Sequence, residues 1–134
     1  MGTARLAGLR VLVVEDDALL AFDLEDQLRE AGAEPVGPAL SLAEGLALFD
    51  SEHLDAALLD IDLGSEKVWP LAEALHARGI PFGIVSAQCS LGGLPSGIGD
   101  PPCLDKPARP QAIVQLVADL VIAAPLQSRP AREA

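Results

Sequence analysis

The sequence predicts an α/β fold, in which a parallel β-sheet carries helices on both of its faces. Two observations support this prediction. Short apolar runs alternate along the chain with longer segments whose apolar residues recur at helical spacing, which is typical of βαβ units. The 134 residues also fit a single domain, and half of them are hydrophobic, which suffices for an ordinary core. No internal repeat and no linker divides the sequence.

The first strand and the first helix are marked by their apolar patterns. RVLVV, at residues 10–14, is a short β-branched run of the kind found in buried strands. From residue 17 to residue 31, apolar side chains recur at helical spacing, and Gly32 is a typical stop signal. The next segment, residues 34–39, contains two prolines and is therefore at best an edge strand.

A second helix and a second buried strand follow. Ser41 and Glu44 have the spacing of a capping box, which predicts a helix that runs to about residue 51. AALL, at residues 56–59, is another short apolar run, and it leads directly into Asp60. We expect this strand to be buried on both faces, as strands in parallel sheets are.

The next part of the chain contains a regular helix and then an irregular crossover. Ser65 is placed as the N-cap of a helix that Gly79 ends, and residues 81–85 (PFGIV) form another apolar strand. Residues 89–102 hold four glycines and three prolines where the alternation calls for a helix. The fourth helix is therefore predicted to be short, irregular or missing, and residues 88–102 are predicted to be mobile.

The last elements complete the fold. Residues 103–104 form a minimal strand, and Pro110 begins a final helix that runs to about residue 124. Residues 125–134 are polar and are predicted to be a loose tail to the domain formed by residues 1–124. Five strands with their crossovers suit a flavodoxin-like, doubly wound, five-stranded parallel sheet with helices on both faces.

Composition excludes several classes of function. Nine basic and twenty acidic residues give a net charge of −11, which repels nucleic-acid phosphates and anionic lipid surfaces. No apolar run approaches the ~20 residues that cross a bilayer, and the N-terminal segment lacks the apolar centre of a signal peptide. Cys89 and Cys103 are too few for a disulfide framework, and we interpret them as small hydrophobic residues in a reducing compartment. We therefore expect a cytoplasmic protein.

Polar residues follow four of the predicted strands, and the carboxyl ends of parallel strands meet at the edge where such sheets bind ligands. Carboxylates that lie close together repel one another unless a cation sits among them, and Mg²⁺ is the hard cation that carboxylates and phosphates hold together. A metal, a nucleophilic carboxylate, a hydroxyl and a lysine suit phosphoryl transfer to an aspartate. The residues are Glu15, Asp16 and Asp17 after the first strand, Asp60 and Asp62 after the third, Ser86 after the fourth and Lys106 after the fifth.

Each of these residues also has a simpler interpretation. Consecutive acids after a strand commonly begin a helix, where they interact favourably with the helix dipole. A Lys-Pro pair after a strand is usually part of a loop, and a single serine is an ordinary turn residue. The prediction depends on their occurring together, each at the carboxyl end of a strand.

Four stretches of the chain resemble the response-regulator receiver domain of two-component signalling, over roughly residues 8–124. They are VLVVEDD (11–17), ALLDIDLG (57–64), IVSA (84–87) and LDKP (104–107). The resemblance implies that Asp60 is the phosphoacceptor and that Ser86 is the switch hydroxyl that turns toward the phosphoryl group. It implies a Mg²⁺ site formed by the side chains of Glu15, Asp16 and Asp60 and the main-chain carbonyl of Asp62, with Lys106 pairing with the phosphoryl charge.

The sequence is further similar to alphaproteobacterial single-domain receivers whose fourth strand ends in a Phe-Ala-Thr-Gly-Tyr-like motif. Ser86 keeps the hydroxyl of that motif, but Ala87 and Gln88 stand where Gly and Tyr are expected. Two more positions depart from the family pattern. Cys103 replaces the usual Tyr or Phe that reports the phosphorylation state, and Ala108 replaces a frequent Phe after the Lys-Pro pair. These departures affect the usual output switch and leave the phosphorylation residues in place.

The resemblance implies a single-domain response regulator rather than an enzyme, since such a domain catalyses only its own phosphorylation and dephosphorylation. The expected phosphoryl donor is a sensor histidine kinase or a histidine phosphotransfer protein. The signal would pass to a downstream protein target, or the domain would act as a phosphate sink. We expect a monomer or weak homodimer with no nucleic-acid or membrane partner.

Two alternative functions remain at this stage. Asp60-Ile61-Asp62 also fits the DxD motif of haloacid-dehalogenase-like Mg²⁺-dependent phosphatases, although Gly64 and the lack of an acidic pair after Lys106 fit poorly. The other alternative is a pseudo-receiver, a binding module that is never phosphorylated. The sequence retains all five residues that the resemblance assigns to phosphorylation, which argues against this alternative. They are Glu15, Asp16, Asp60, Ser86 and Lys106.

Overall fold

The computed structural model describes residues 5–87, 89 and 94–123. The helices are α1 (Ala18–Glu30), α2 (Leu42–Ser51), α3 (Trp69–Arg78) and α4 (Pro110–Ala123). The strands are β1 (Arg10–Val14), β2 (Glu34–Ala39), β3 (Ala56–Leu59), β4 (Asp62–Leu63), β5 (Glu66–Lys67), β6 (Phe82–Ser86) and β7 (Cys103–Asp105). The predicted loose tail, residues 125–134, lies outside the described residues.

Five of the strands form one parallel sheet in the order β2-β1-β3-β6-β7, which confirms the flavodoxin-like, doubly wound fold. The proline-containing strand β2 lies at an edge of this sheet, as predicted. The short strands β4 and β5 pair with each other in a separate antiparallel hairpin.

The central strands are apolar throughout because both of their faces are buried. Alternate residues of β3 point to opposite sides, so that Ala57 and Leu59 pack with α2 and α3 whereas Ala56 and Leu58 pack with α1 and α4. The same alternation holds along β1. Two hydrophobic cores therefore enclose the sheet and fix the ends of its strands.

The first two helices begin at the side-chain caps that the sequence indicates. The carboxylate of Asp17 accepts hydrogen bonds from the backbone N–H groups of Leu19 and Leu20, at 3.0 and 3.2 Å. Ser41 accepts from the N–H of Glu44, whose own carboxylate accepts from Leu40. The predicted boundaries of both helices are thus confirmed to within a residue.

The predicted start of the third helix is wrong. Ser65 does not cap a helix, because residues 62–67 form the β4–β5 hairpin instead. Gly64 makes the turn with a φ of +67°, a conformation that glycine adopts without strain. Helix α3 begins four residues later, with Pro70 in its first turn, where the missing N–H of proline costs nothing.

The crossover between β6 and β7 lacks a regular helix in its described part, as predicted. Ser96–Ile98 form a single 3-10 turn, and the side chain of Ile98 is buried in the core beside α3. Gln88 and residues 90–93 lie outside the described residues, so the expected mobility of the whole segment stays a prediction.

The interpretation of the two cysteines as separate hydrophobic residues is wrong. Cys89 and Cys103 form a disulfide, with their Cα atoms 5.7 Å apart across a sequence separation of 14 residues. The crossover leaves β6 and returns to β7, which is the adjacent strand, and this brings the two cysteines together. Two isolated cysteines in a sequence carry no information about such a distance.

None of the helices within the described ranges combines the length and the apolarity needed to traverse a lipid bilayer.

Candidate functional site

Three carboxylates meet at the carboxyl edge of the sheet. β1 and β3 are adjacent, and Val14 lies in register with Leu59, so the residues that follow these strands emerge side by side. Glu15, Asp16 and Asp60 each bring a carboxylate oxygen within 4.8 Å of the other two. The sequence predicted this cluster, and the parallel register of the strands explains it.

Lys106 connects two of these carboxylates. Its ammonium lies 2.6 Å from an oxygen of Glu15 and 3.1 Å from an oxygen of Asp60. The Glu15 side chain is only 2% exposed and that of Asp60 11%, whereas Lys106 is 22% exposed. Charge-assisted hydrogen bonds of this length, partly shielded from water, hold the three groups in a fixed arrangement.

Burial disfavours the ionised forms of two of the carboxylates, and both of them share the ammonium of Lys106. Burial raises the pKa of Glu15 and that of Asp60, although the hydrogen bonds from Lys106 act in the opposite direction. Those same hydrogen bonds raise the pKa of Lys106, in spite of its burial. A single ammonium therefore serves two buried carboxylates, with the third carboxylate, that of Asp16, nearby.

Backbone N–H groups orient each of the three carboxylates. Asp60 accepts a hydrogen bond from Ile61 at 2.9 Å, and Glu15 accepts one from Asp17 at 3.0 Å. Asp16 accepts from the N–H of Gly64, in the turn of the β4–β5 hairpin, at 3.0 Å. This last contact was not predicted from the sequence, in which Gly64 is the residue that signals a turn.

The remaining predicted residues have distinct positions. Ser86 is buried at the carboxyl end of β6, and its main-chain carbonyl accepts a hydrogen bond from the N–H of Lys106 at 3.0 Å. The side chain of Asp62 forms an ion pair with Lys67 across the hairpin. Asp17 caps α1, so its carboxylate serves the helix rather than the cluster. The metal-binding role of the Asp62 carbonyl stays a prediction.

The phosphatase alternative is not favoured by this geometry. It requires a second carboxylate two residues after the nucleophile to act as a general acid. The carboxylate of Asp62 is instead paired with Lys67, and the cluster around Asp60 is completed by Glu15 and Asp16 from another strand.

Oxygen ligands from three carboxylates are the donor set that Mg²⁺ prefers. Burial raises the pKa of Glu15 and that of Asp60, so a cation that contacts their carboxylates would favour the ionised forms. The residues present therefore fit a divalent cation.

Many solved structures share this fold, including those of the following three proteins. SdrG from Sphingomonas melonis Fr1 is 38% identical with a TM-score of 0.72, and the match covers 84% of this chain and 96% of that chain. The receiver domain of the Francisella response regulator 1452 is 26% identical with a TM-score of 0.71, and the match covers 84% of this chain and 96% of that chain. The response regulator PhyR from Brucella abortus is 28% identical with a TM-score of 0.76, over 90% of this chain and 51% of that one.

Among curated proteins, the transcriptional regulatory protein PdtaR of Mycobacterium tuberculosis is 39% identical over 54 residues. That match covers 40% of this chain and 26% of PdtaR, so it spans about a quarter of the relative. No family model matches the chain.

Proposed function

Because the chain belongs to the response-regulator receiver family, we propose that it is a signalling domain that accepts a phosphoryl group on Asp60. The observation that carries this proposal is the position of the Lys106 ammonium between Glu15 and Asp60, beside Asp16. Aspartate, acidic pair and lysine are the groups that the transfer requires.

Two hydrogen bonds hold the carboxylate of Asp60 in place, which supports its proposed role as the nucleophile. The N–H of Ile61 fixes one of its carboxylate oxygens, and the ammonium of Lys106 contacts the other. In the proposed reaction, a carboxylate oxygen forms a bond to phosphorus while the bond from phosphorus to the donor imidazole nitrogen breaks. Lys106 then pairs with the phosphoryl oxygens, which keeps its positive charge beside the new negative charge.

The side chains of Glu15, Asp16 and Asp60, with the main-chain carbonyl of Asp62, would hold Mg²⁺. When it is bound, the ion neutralises negative charge on the phosphoryl oxygens. Glu15 and Asp16 have no part in bond formation, and their role is to bind the cation beside Asp60. Ser86 is proposed as the switch hydroxyl, which donates a hydrogen bond to a phosphoryl oxygen once Asp60 is modified.

The phosphoryl donor must contact the rim of the site, and the beginning of α1 offers an apolar surface there. Leu19 and Phe22 are 82% and 54% exposed, close in sequence to Asp16. Beside them, a cavity of about 340 Å³ lies between α1 and the segment after Lys106, and Ala108 is one of its lining residues. We infer that this surface receives the histidine-bearing domain of a sensor kinase or a histidine phosphotransfer protein.

The remaining properties follow from the charge and from the family. With a net charge of −11, the protein would act through protein contacts and not on nucleic acid. We propose a cytoplasmic location and a monomer or weak homodimer that passes its state to a protein target or acts as a phosphate sink.

The experiment that tests the function is phosphorylation by acetyl phosphate with Mg²⁺, compared between the wild type and Asp60→Asn. The wild type is expected to gain one hydroxylamine-sensitive phosphoryl group, and the variant none, because an amide oxygen is a poor nucleophile. Asp62→Asn is the matched control, since it makes the same change two residues away and keeps the main-chain carbonyl. Labelling of Asp60→Asn at the wild-type level would contradict the proposal.

A further inference from the structure

The disulfide lies beside two residues of the proposed phosphorylation machinery. Cys89 is three residues after Ser86, and Cys103 is three residues before Lys106. The sulfur of Cys89 is 3.8 Å from the main-chain carbonyl oxygen of Ser86, which also accepts the hydrogen bond from the N–H of Lys106. One carbonyl group therefore contacts both the disulfide and the backbone N–H of Lys106.

The disulfide restrains a short piece of chain. Cys103 opens β7 and pairs with Ile84 in the interior of β6, so this end of the bond belongs to the sheet. Cys89 follows Ser86, the last residue of β6, and the bond ties it back to that sheet. Independently, Ile98 anchors the later part of the crossover against α3. Oxidation thus holds Cys89, three residues after Ser86, beside β7.

We propose that Cys89 and Cys103 form a reversible redox modification site whose oxidation state governs the movement of Ser86. The effect of the redox state on phosphorylation rests on the proposed function, whereas the redox site itself does not. Both cysteines are partly exposed, so small reagents can reach them, and the chain contains no other cysteine that would compete. Disulfides in reducing compartments are characteristically transient and redox-sensing.

The chemistry is thiol–disulfide exchange with a low-molecular-weight disulfide such as oxidised glutathione. The thiolate of one cysteine attacks a glutathione sulfur, which forms a mixed disulfide and releases one glutathione thiolate. The second cysteine thiolate then attacks the protein sulfur of that mixed disulfide and releases the second glutathione. Two electrons and two protons pass from the protein to glutathione, and excess reduced glutathione reverses both steps.

The disulfide is expected to oppose activation. Ser86 must move toward the phosphoryl oxygens, and the backbone that follows it must move as well. In the oxidised protein that backbone is tied to β7, so the activated conformation is less accessible. Reduction removes the tie, and the Cys89 thiol can then donate a weak hydrogen bond to the Ser86 carbonyl.

The test measures coupling between the redox state and binding of beryllofluoride with Mg²⁺, a phosphoryl mimic. We expect the oxidised full-length chain to bind the mimic at least about fivefold more weakly than the reduced chain. Because such coupling is reciprocal, saturating mimic must shift the thiol–disulfide equilibrium in glutathione buffers toward the dithiol by the same factor. The double variant Cys89→Ser, Cys103→Ser should bind the mimic like the reduced wild type in every buffer.

Equal affinity of the oxidised and reduced chains for the mimic would overturn the proposal. It would also be overturned if thiol alkylation and mass spectrometry found the pair fully reduced, or fully oxidised, across the whole range of glutathione buffers. Failure of the mimic to bind in either redox state would refute the phosphoacceptor function. The alkylation titration needs no phosphoryl group, so it distinguishes that failure from failure of the redox site.

Discussion

Lys106 is the residue on which the electrostatic balance of the site depends. It supplies one positive charge to the buried carboxylates of Glu15 and Asp60, whose pKa values burial raises. Removal of a charged partner from a buried group exposes the full desolvation cost of that group. The lysine therefore stabilises the metal-free fold, in addition to its proposed role in phosphoryl transfer.

The first prediction tests this role of the lysine. Lys106→Met should lower the free energy of unfolding at pH 7.5 without Mg²⁺ by about 1–3 kcal/mol, because two buried carboxylates lose the ammonium that contacts both of them. Added Mg²⁺ should restore most of the loss. Lys67→Met is the control, since Lys67 forms an exposed pair with Asp62 that is expected to contribute only about 0–1 kcal/mol. Urea denaturation measures both variants, and equal losses would contradict the assignment.

The second prediction separates the two neighbouring aspartates. Asp16→Ala should greatly weaken Mg²⁺ binding, because Asp16 belongs to the carboxylate cluster. Asp17→Ala should leave Mg²⁺ binding nearly unchanged and should destabilise the protein by about 0.5–2 kcal/mol through loss of the α1 cap. Calorimetric titration with Mg²⁺ and thermal melting of both variants make the comparison. Equal losses of Mg²⁺ affinity would contradict the assignment of Asp16, rather than Asp17, to the metal site.

At the scale of elements, the β4–β5 hairpin is the part of the site that sequence patterns did not reveal. Its strands are two residues each, too short for a periodic pattern, and Ser65 resembles an ordinary helix cap. The strands β1 and β3 were predictable, because burial on both faces makes every residue apolar. The carboxyl ends of these strands, and hence the carboxylate cluster, could be predicted with them.

The hairpin is expected to position one carboxylate of the site. The N–H of Gly64 donates to Asp16, and a φ of +67° at Gly64 keeps the turn in place. Gly64→Ala should strain that turn by about 1 kcal/mol, and it should also weaken Mg²⁺ binding, though less than Asp16→Ala does. Gly79→Ala is the matched control, because Gly79 has a φ of +77° at the end of α3 and lies before β6, at the opposite edge of the sheet from the site.

Both glycine variants should therefore lose a similar free energy of unfolding, whereas only Gly64→Ala should change the affinity for Mg²⁺. Chemical denaturation measures the first quantity and calorimetric titration the second. If Gly79→Ala weakened Mg²⁺ binding as much as Gly64→Ala, the effect would be one of general stability and the hairpin would have no positioning role.

At the scale of the whole molecule, the disulfide is a feature that could not be predicted from the sequence. Cys89 and Cys103 are 14 residues apart, and only the return of the crossover to an adjacent strand brings them together. The strand order depends on how the two cores pack around the sheet, which no local pattern encodes. The same strand order places Lys106 within reach of Glu15. That proximity could be predicted, because both residues follow parallel strands whose carboxyl ends meet at one edge of the sheet.

The last prediction concerns the response of the whole fold to pH. Burial raises the folded-state pKa of Glu15 and Asp60 above their ordinary values. A carboxyl with a raised folded pKa contributes stability that is fully present below its unfolded pKa, near pH 4, and is lost as the pH rises through the folded value. Mg²⁺ compensates this loss by binding the ionised forms. The increase in melting temperature that Mg²⁺ produces should therefore be larger at pH 7.5 than at pH 5.

Asp60→Asn should reduce this difference between the two pH values, because it removes one of the two responsible carboxyls. Glu25→Gln is the control, since burial also raises the pKa of Glu25, which lies on α1 outside the carboxylate cluster. Glu25→Gln should alter how the stability of the metal-free protein depends on pH. It should leave the additional stabilisation by Mg²⁺ unchanged at both pH values. Thermal melting at both pH values, with and without Mg²⁺, gives all four quantities for each variant. A stabilisation by Mg²⁺ that is equal at pH 5 and pH 7.5 in the wild type would mean that protons and the metal do not compete for these carboxylates.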